Sequence, residues 1–268
     1  MDIRGLIARA LCAPGASRSA MAALAAAAAG VLLAGLADAG EKPGAPRGVI
    51  ELFTSQGCSS CPPADRVLSD MVEQGDVVAL AYHVDYWDYL GWKDTFATAE
   101  NTARQYEYMK AFKAQSVYTP QAVINGRRHV NGASRIDIDK VLDELKGTPE
   151  GLSVEVKASR RGSSLMIEAD AGSGRPNEAE VVIVYFDPPT PIQIDRGENT
   201  GKTVTYWNAV TGIQIAGMWH GKSTSFELPM REIARKGAGG CAVLLQSVNA
   251  DGSPGAILGA AIVREVQN

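Results

Sequence analysis

Cys58 and Cys61 stand three residues apart, after the strand-like run Val49–Thr54 and the turn Ser55-Gln56-Gly57, and directly before Pro62, Pro63 and an amphipathic stretch. Strand, turn, cysteine pair, helix is the order this imposes. Two successive prolines are tolerated in a helix only in its first turn, where the amides have no partner in any case. Ala64, Val67, Leu68, Met71 and Val72 then repeat with helical spacing, and Gly75 supplies a stop. Val77 to Val84 is apolar and β-branched enough for a buried strand. Two buried strands joined by one helix predict a β-α-β unit with a parallel pair.

The next segment, Asp85 to Ser116, is rich in aromatics (Tyr86, Trp87, Tyr89, Trp92, Phe96) before it turns helical, and it reads as a helical insertion. Gln121-Ala122-Val123-Ile124, then Asn125-Gly126, then Arg127 to Val130 carries the strongest two-residue hairpin signal. Ser134 with Asp137 three residues on begins a capped helix whose Ile138, Val141, Leu142 and Leu145 share a face, ended by Gly147. Thr148-Pro149-Glu150-Gly151 marks a domain boundary.

Beyond it the apolar period changes to two. Leu152, Val154, Val156 and Ala158 alternate with polar residues, as do Leu165, Ile167 and Ala169. Val181–Phe186, Thr203–Trp207, Ser225–Leu228, Ala242–Val248 and Ala256–Val263 continue as short strands between turn residues, which predicts an antiparallel β-sandwich over 148–268.

Charge and cysteine usage narrow the function classes. Lys plus Arg number 26 against 30 Asp plus Glu, a net charge of −4, so no basic excess exists to neutralise a nucleic-acid backbone. Residues 1–39 read as a signal peptide: Arg4, Arg9 and Arg18 precede the Ala/Leu run Ala20–Ala37, and Ala37-Asp38-Ala39 offers a cleavage signal before Gly40. The expectation is a periplasmic or secreted protein with no membrane span after the leader is removed. Cys12 would leave with the leader, so Cys58, Cys61 and Cys241 would meet an oxidising compartment. No Gly-rich nucleotide loop follows a strand, and no cofactor is expected.

The helix start lowers the pKa of Cys58, making it the candidate nucleophile, with Cys61 as the resolving thiol that closes the internal bond. A structural disulfide remains the alternative. His83 on the second strand could join Cys58 and Cys61 around copper(I), since two thiolates and an imidazole suit that ion; otherwise it is a hydrogen-bonded structural residue. His129 and His220 have no second ligand nearby in sequence.

With Thr119-Pro120 leading the hairpin and a final helix after it, residues 47–147 resemble the thioredoxin superfamily. The resemblance implies a cis-proline at Pro120 packed against the cysteines, and substrate held in strand-like pairing by the backbone at Thr119 and Pro120. It also exposes a departure. Many thioredoxins carry a buried carboxylate six residues before the first cysteine; here that position is Leu52, with Glu51 one residue earlier. Glu51 is the candidate for proton transfer, or else a salt-bridged strand residue pointing to the other face. The motifs VIELFTSQGCSSCPPAD, YHVDYWDYLGWKD, VYTPQAVING and RGENTGKTVTYWNAV further resemble a family of exported bacterial proteins of unknown function, which implies a thioredoxin-like domain (40–147) followed by a β-rich one (148–268).

Three features stay open on the residues alone. Tyr86 to Trp92 could form a substrate platform or pack as core. Arg196-Gly197-Glu198-Asn199 with Gly201 could be a ligand loop or an ordinary connection. Cys241 could be a buried small hydrophobe or pair with another chain. The expectation is a thiol–disulfide oxidoreductase acting on protein or small-molecule thiols and disulfides, against a binding module that either carries copper(I) or uses the disulfide as a staple.

Overall fold

The computed structural model describes residues 45–172, 174, 176–231 and 239–264, so the expected signal peptide lies outside the described residues. Strand β1 (Val49–Thr54), helix α1 (Pro62–Gln74) and strand β2 (Val78–His83) form the β-α-β unit, with β1 and β2 parallel and Leu52 opposite Ala81. Gly75 caps α1 in the left-handed conformation at φ 77°. After a short 3-10 turn at Asp88–Leu90 comes α2 (Ala99–Ala111), then the hairpin β3 (Gln121–Ile124) and β4 (Arg128–Asn131). Asn125 and Gly126 turn it with φ of 50° and 63°, the paired positive values of a type I′ turn. Helix α3 (Arg135–Leu145) starts where Ser134 accepts a hydrogen bond from the Asp137 amide at 3.3 Å. The first sheet has the order β2-β1-β3-β4, with β3 antiparallel to β1.

Nine further strands follow: β5 (Val156–Arg161), β6 (Ser164–Ala169), β7 (Ala179–Phe186), β8 (Thr190–Gln193), β9 (Thr203–Tyr206), β10 (Val210–Trp219), β11 (Thr224–Pro229), β12 (Gly240–Val248) and β13 (Pro254–Arg264). They make a second sheet, β10-β7-β12-β13, a third, β11-β6-β5, and the ribbon β8-β9. Two strands here escape the periodicity of the sequence. β10 carries register shifts between Val210 and Gly212 and between Ile215 and Gly217, and each bulge resets the alternation. β8 contains Pro191, which suits the edge of a two-stranded ribbon. The first expected strand of this half starts later, at Val156, because the Ser153 and Val154 amides donate to Leu258 O at 2.7 and 2.8 Å.

The layers follow from which side chains share a core. Ile50 and Leu52 of β1 meet Ala64, Leu68 and Met71 of α1 and Leu142 of α3. Val49 and Phe53, on the opposite face of the same strand, meet Val182, Val184 and Phe186 of β7 and Leu244 of β12. Val181, Ile183 and Tyr185 of β7 then face Leu165 and Ile167 of β6 and Leu228 of β11 in a sandwich-like pair of sheets. Helices α1 and α3, the first sheet, the second sheet and the third sheet are therefore stacked, with Tyr108 of α2 in the core between the first two sheets. Both β1 and β7 are buried on two faces, which is why each is mostly apolar on both, with Glu51 the charged exception inside β1. Thr148–Glu150 turns at the surface, yet the core is continuous across it.

The β9–β10 connection covers the free edge of β2. Ala209 bridges to Ala81, the Ala81 amide donates to Asn208 O at 3.0 Å, and Asn208 Nδ2 donates to Ala79 O at 2.8 Å. No helix among the described residues is long and apolar enough to cross a membrane.

Candidate functional site

The turn Ser55–Cys61 joins β1 to α1. Cys58 N donates to Ser55 O and Cys61 N to Cys58 O, both at 3.2 Å, and Cys61 becomes the N-cap residue of α1. The two cysteines are disulfide-bonded with Cα atoms 5.4 Å apart. They are 1% and 0% exposed, although Ser59 and Ser60 between them face solvent.

Three segments hold this turn. From the hairpin side, Thr119 Oγ1 donates to Cys58 Sγ at 3.3 Å and accepts from Trp87 Nε1 at 2.8 Å; the Thr119–Pro120 peptide is cis. From the aromatic insertion, Trp92 Nε1 donates to Gln56 Oε1 at 2.8 Å, and Asp94 Oδ2 accepts from Gln56 N at 2.8 Å. Gly57 lets the turn pack closely on Trp87, where a Cβ would stand 3.2 Å from both Trp87 Cβ and Trp87 O. From the second half of the chain, Asn199 Nδ2 donates to Gln56 O at 2.9 Å and Cys58 O at 2.8 Å, and Glu198 Oε2 accepts from Ser59 N at 3.3 Å.

The open features of the sequence thus find their places. Trp92 binds the cysteine turn through its indole N–H at Gln56, Trp87 donates instead to the Thr119 hydroxyl that bonds Cys58, and Tyr89 stacks on Trp87 and is 78% exposed. The Arg196–Gly201 loop grips that same turn. Cys241 is buried among Ile183, Val243 and other residues of the sandwich-like core. His129 bonds the Tyr118 hydroxyl at 3.0 Å, and His220 lies at the surface beside Glu178.

Behind the disulfide lies a buried acid–base cluster. Asp65, one helical turn after Cys61, donates its amide to Cys61 O at 3.1 Å, and its Oδ1 accepts from Thr54 Oγ1 at 2.7 Å. His83 Nδ1 bonds Asp94 Oδ2 at 2.8 Å, and the His83 ring centre is 4.8 Å from that of Tyr206, brought in by β9. Asp65 Oδ2, His83 Nε2 and Tyr206 Oη are all buried and have no hydrogen-bond partner. Burial raises the Asp65 pKa to about 7, with Asp94 adding to the rise and His83 and Thr54 opposing it. Burial pulls His83 down, but the Asp94 charge and hydrogen bond, with Asp65, leave it above its usual value. Burial pushes Asp94 up, yet His83 and the Gln56 and Phe96 amides hold it below the usual carboxylate range.

Glu51 is elsewhere. It shares the β1 face of Val49 and Phe53, where Arg104 Nε donates to its Oε1 at 2.7 Å and the Tyr108 hydroxyl donates to its Oε2. Gln246 closes the network, accepting from Arg104 Nη2 and donating to the Tyr108 hydroxyl, each at 2.8 Å. The alternative metal set of Cys58, Cys61 and His83 is not assembled, and among the described residues no three His, Cys, Asp or Glu side chains are grouped to hold an ion.

Asp65, Gln56, Asp94 and Tyr206 escaped the sequence reading, whereas Asn199 was in the loop left open there. Only Asp65 left a local trace: it occupies the buried stripe of α1 with Ala64, Leu68, Met71 and Val72, where a carboxylate is out of place.

A search of curated proteins finds no match. HBP35 of Porphyromonas gingivalis shares the fold, with a TM-score of 0.57 over 82% of this chain and 75% of that one at 11% identity. The crystal structure of protein AGR_C_4864 from Agrobacterium tumefaciens is far more similar, at 47% identity and a TM-score of 0.76 over 84% of this chain and 97% of that one. The profile of a family described as a protein of unknown function (DUF1223) matches residues 49–246, nearly all of the sheet-forming chain, and this protein belongs to that family.

Proposed function

We propose that this protein is a thiol–disulfide oxidoreductase working through Cys58 and Cys61 on a thioredoxin-like module. The β-α-β unit, the antiparallel hairpin and the two helices on one face of the first sheet support the module. The observation that carries the activity is a disulfide at the start of a helix, with the Thr119 hydroxyl donating to Cys58 Sγ and a buried carboxyl, Asp65 with its Oδ2 unpartnered, one turn after Cys61. Helix-start amides and the macrodipole favour a thiolate at the first cysteine.

In the oxidising direction, a partner thiolate attacks Cys58 Sγ. The Cys58–Cys61 bond breaks and its electron pair leaves on Cys61. Asp65, with a pKa near the ambient pH, gives its proton to the Cys61 thiolate. The partner's second thiolate then attacks the partner sulfur of the mixed disulfide and expels Cys58 as a thiolate, so the partner loses two electrons and the cysteine pair gains them. Asp65 takes the role that Glu51 held in the sequence reading, because both Glu51 oxygens are occupied by Arg104 and Tyr108. The leader expected over residues 1–39 would deliver such a couple to an oxidising compartment.

A second reading rests on the burial of both sulfurs, which suits a permanent staple. Equilibration of the purified protein with defined glutathione ratios separates the two. Exchange with a potential above about −230 mV is expected; a potential below about −300 mV would make the bond structural and sink the oxidoreductase reading.

A further inference from the structure

The redox module does not own its whole site. Asn199 belongs to the connection between β8 and β9, yet it is fully buried against the cysteine turn. Both of its amide hydrogens are used: Nδ2 donates to the carbonyls of Gln56 and Cys58, while Oδ1 accepts from Lys202 Nζ at 2.8 Å. The left-handed Gly197 (φ 77°) and Gly201 (φ 80°) bracket it, and Gly197 packs where a Cβ would come within 3.2 Å of Trp92 Cβ. The neighbouring Glu198 brings its carboxylate to the Ser59 amide at 3.3 Å. That amide lies two residues before the N-cap Cys61, in the same turn that carries Cys58.

We propose that the Asp195–Lys202 loop sets the redox poise of Cys58, with Asn199 as a positioning residue for the cysteine turn and Glu198 as a charge that disfavours the thiolate. This rests on the redox reading of Cys58 and Cys61. The two residues act differently. Asn199 fixes the backbone that carries Cys58, so its loss changes how well Cys58 Sγ meets Thr119 Oγ1. Glu198 adds a negative charge at the helix start, where a thiolate would otherwise be stabilised. Among the described residues, other charged groups near the pair are Lys202, whose ammonium bonds the Asn199 amide oxygen, and Asp65, whose amide bonds Cys61 O, with its neighbours His83 and Asp94. Glu198 is exposed, so its effect is moderate and screened by salt.

The test uses the full chain in three forms: unaltered, Glu198→Gln and Asn199→Ala. The equilibrium constant with glutathione is measured for each, and the pH dependence of Cys58 alkylation is followed in a Cys61→Ala background. Glu198→Gln is expected to lower the apparent Cys58 pKa and to shift the equilibrium about two- to fivefold toward the dithiol, an effect that shrinks in 1 M salt. Asn199→Ala is expected to slow alkylation at fixed thiolate fraction while its circular dichroism stays that of the unaltered protein. Should Asn199→Ala unfold the chain, Glu198→Gln still decides. If the unaltered protein exchanges with glutathione but Glu198→Gln leaves both the equilibrium and the alkylation profile in place, the proposal is overturned and the redox reading stands. If the unaltered protein does not exchange at all, the redox reading fails and this inference falls with it.

Discussion

Thr54 Oγ1 donates a 2.7 Å hydrogen bond to Asp65 Oδ1, tying the last residue of β1 to the first turn of the helix that carries Cys61. The bond holds a carboxyl one turn from the resolving cysteine, where burial raises its pKa to about 7 against the opposing pull of His83 and of this same hydrogen bond.

That shift has a sign. The folded Asp65 pKa, about 7, is above its unfolded value, so the protonated form favours folding and stability is lost as pH rises from about 4 to 7. His83, also raised, acts in the same direction, with stability lost as pH climbs past its unfolded value through its folded one. Asp94, lowered, contributes stability above its unfolded pKa that is lost as pH falls through its folded one. Urea denaturation at pH 5 and pH 8 is expected to show the unaltered protein weaker at pH 8, and Asp65→Asn to remove an Asp65 contribution to that difference on the order of 2–3 kcal/mol. An unchanged slope in Asp65→Asn would contradict this account of the cluster.

Glu51→Gln separates a structural from a chemical role. Removing the charge leaves the Arg104 guanidinium buried without its counter-ion, a loss of about 3–5 kcal/mol. Denaturant midpoints should fall accordingly while the folded variant exchanges disulfides at the unaltered rate. A folded variant that exchanges tenfold more slowly would restore Glu51 as the proton-transfer residue.

Thr119→Val keeps the side-chain shape but deletes the donor to Cys58 Sγ and strands the Trp87 indole N–H. A stability cost of about 1–3 kcal/mol is expected, and slower alkylation of reduced Cys58 at pH 7 because its thiolate loses a donor. Thermal melts and iodoacetamide kinetics report the two effects separately.

Leu244→Ala opens a cavity between the first and second sheets. The cost should be about 2–5 kcal/mol, and because those sheets share this core, intrinsic fluorescence and far-UV circular dichroism should lose signal in one common transition. Two separated transitions in the unaltered protein would show that the halves fold independently.

The sequence by itself determined the elements whose causes are local. Pro62 and Pro63 could only begin a helix, Asn125-Gly126 could only close a tight hairpin, Ser134 capped α3, and the period-two runs became strands. It also put Cys58 and Cys61 at a helix start. What it could not carry were relations between residues far apart in the chain. Glu51 and Asp65 are both acidic residues near a cysteine pair, and no local pattern says that one will be claimed by Arg104, Tyr108 and Gln246 while the other is buried beside His83 and Asp94. Asn199 lies 141 residues from Cys58, and a side chain's hydrogen-bond partners at that separation are fixed only when the sheets pack. The bulges of β10 erase the alternation that would have revealed it. Local backbone preferences and turn chemistry act over a few residues, whereas burial, and with it every shifted pKa of this site, exists only once the layers have closed.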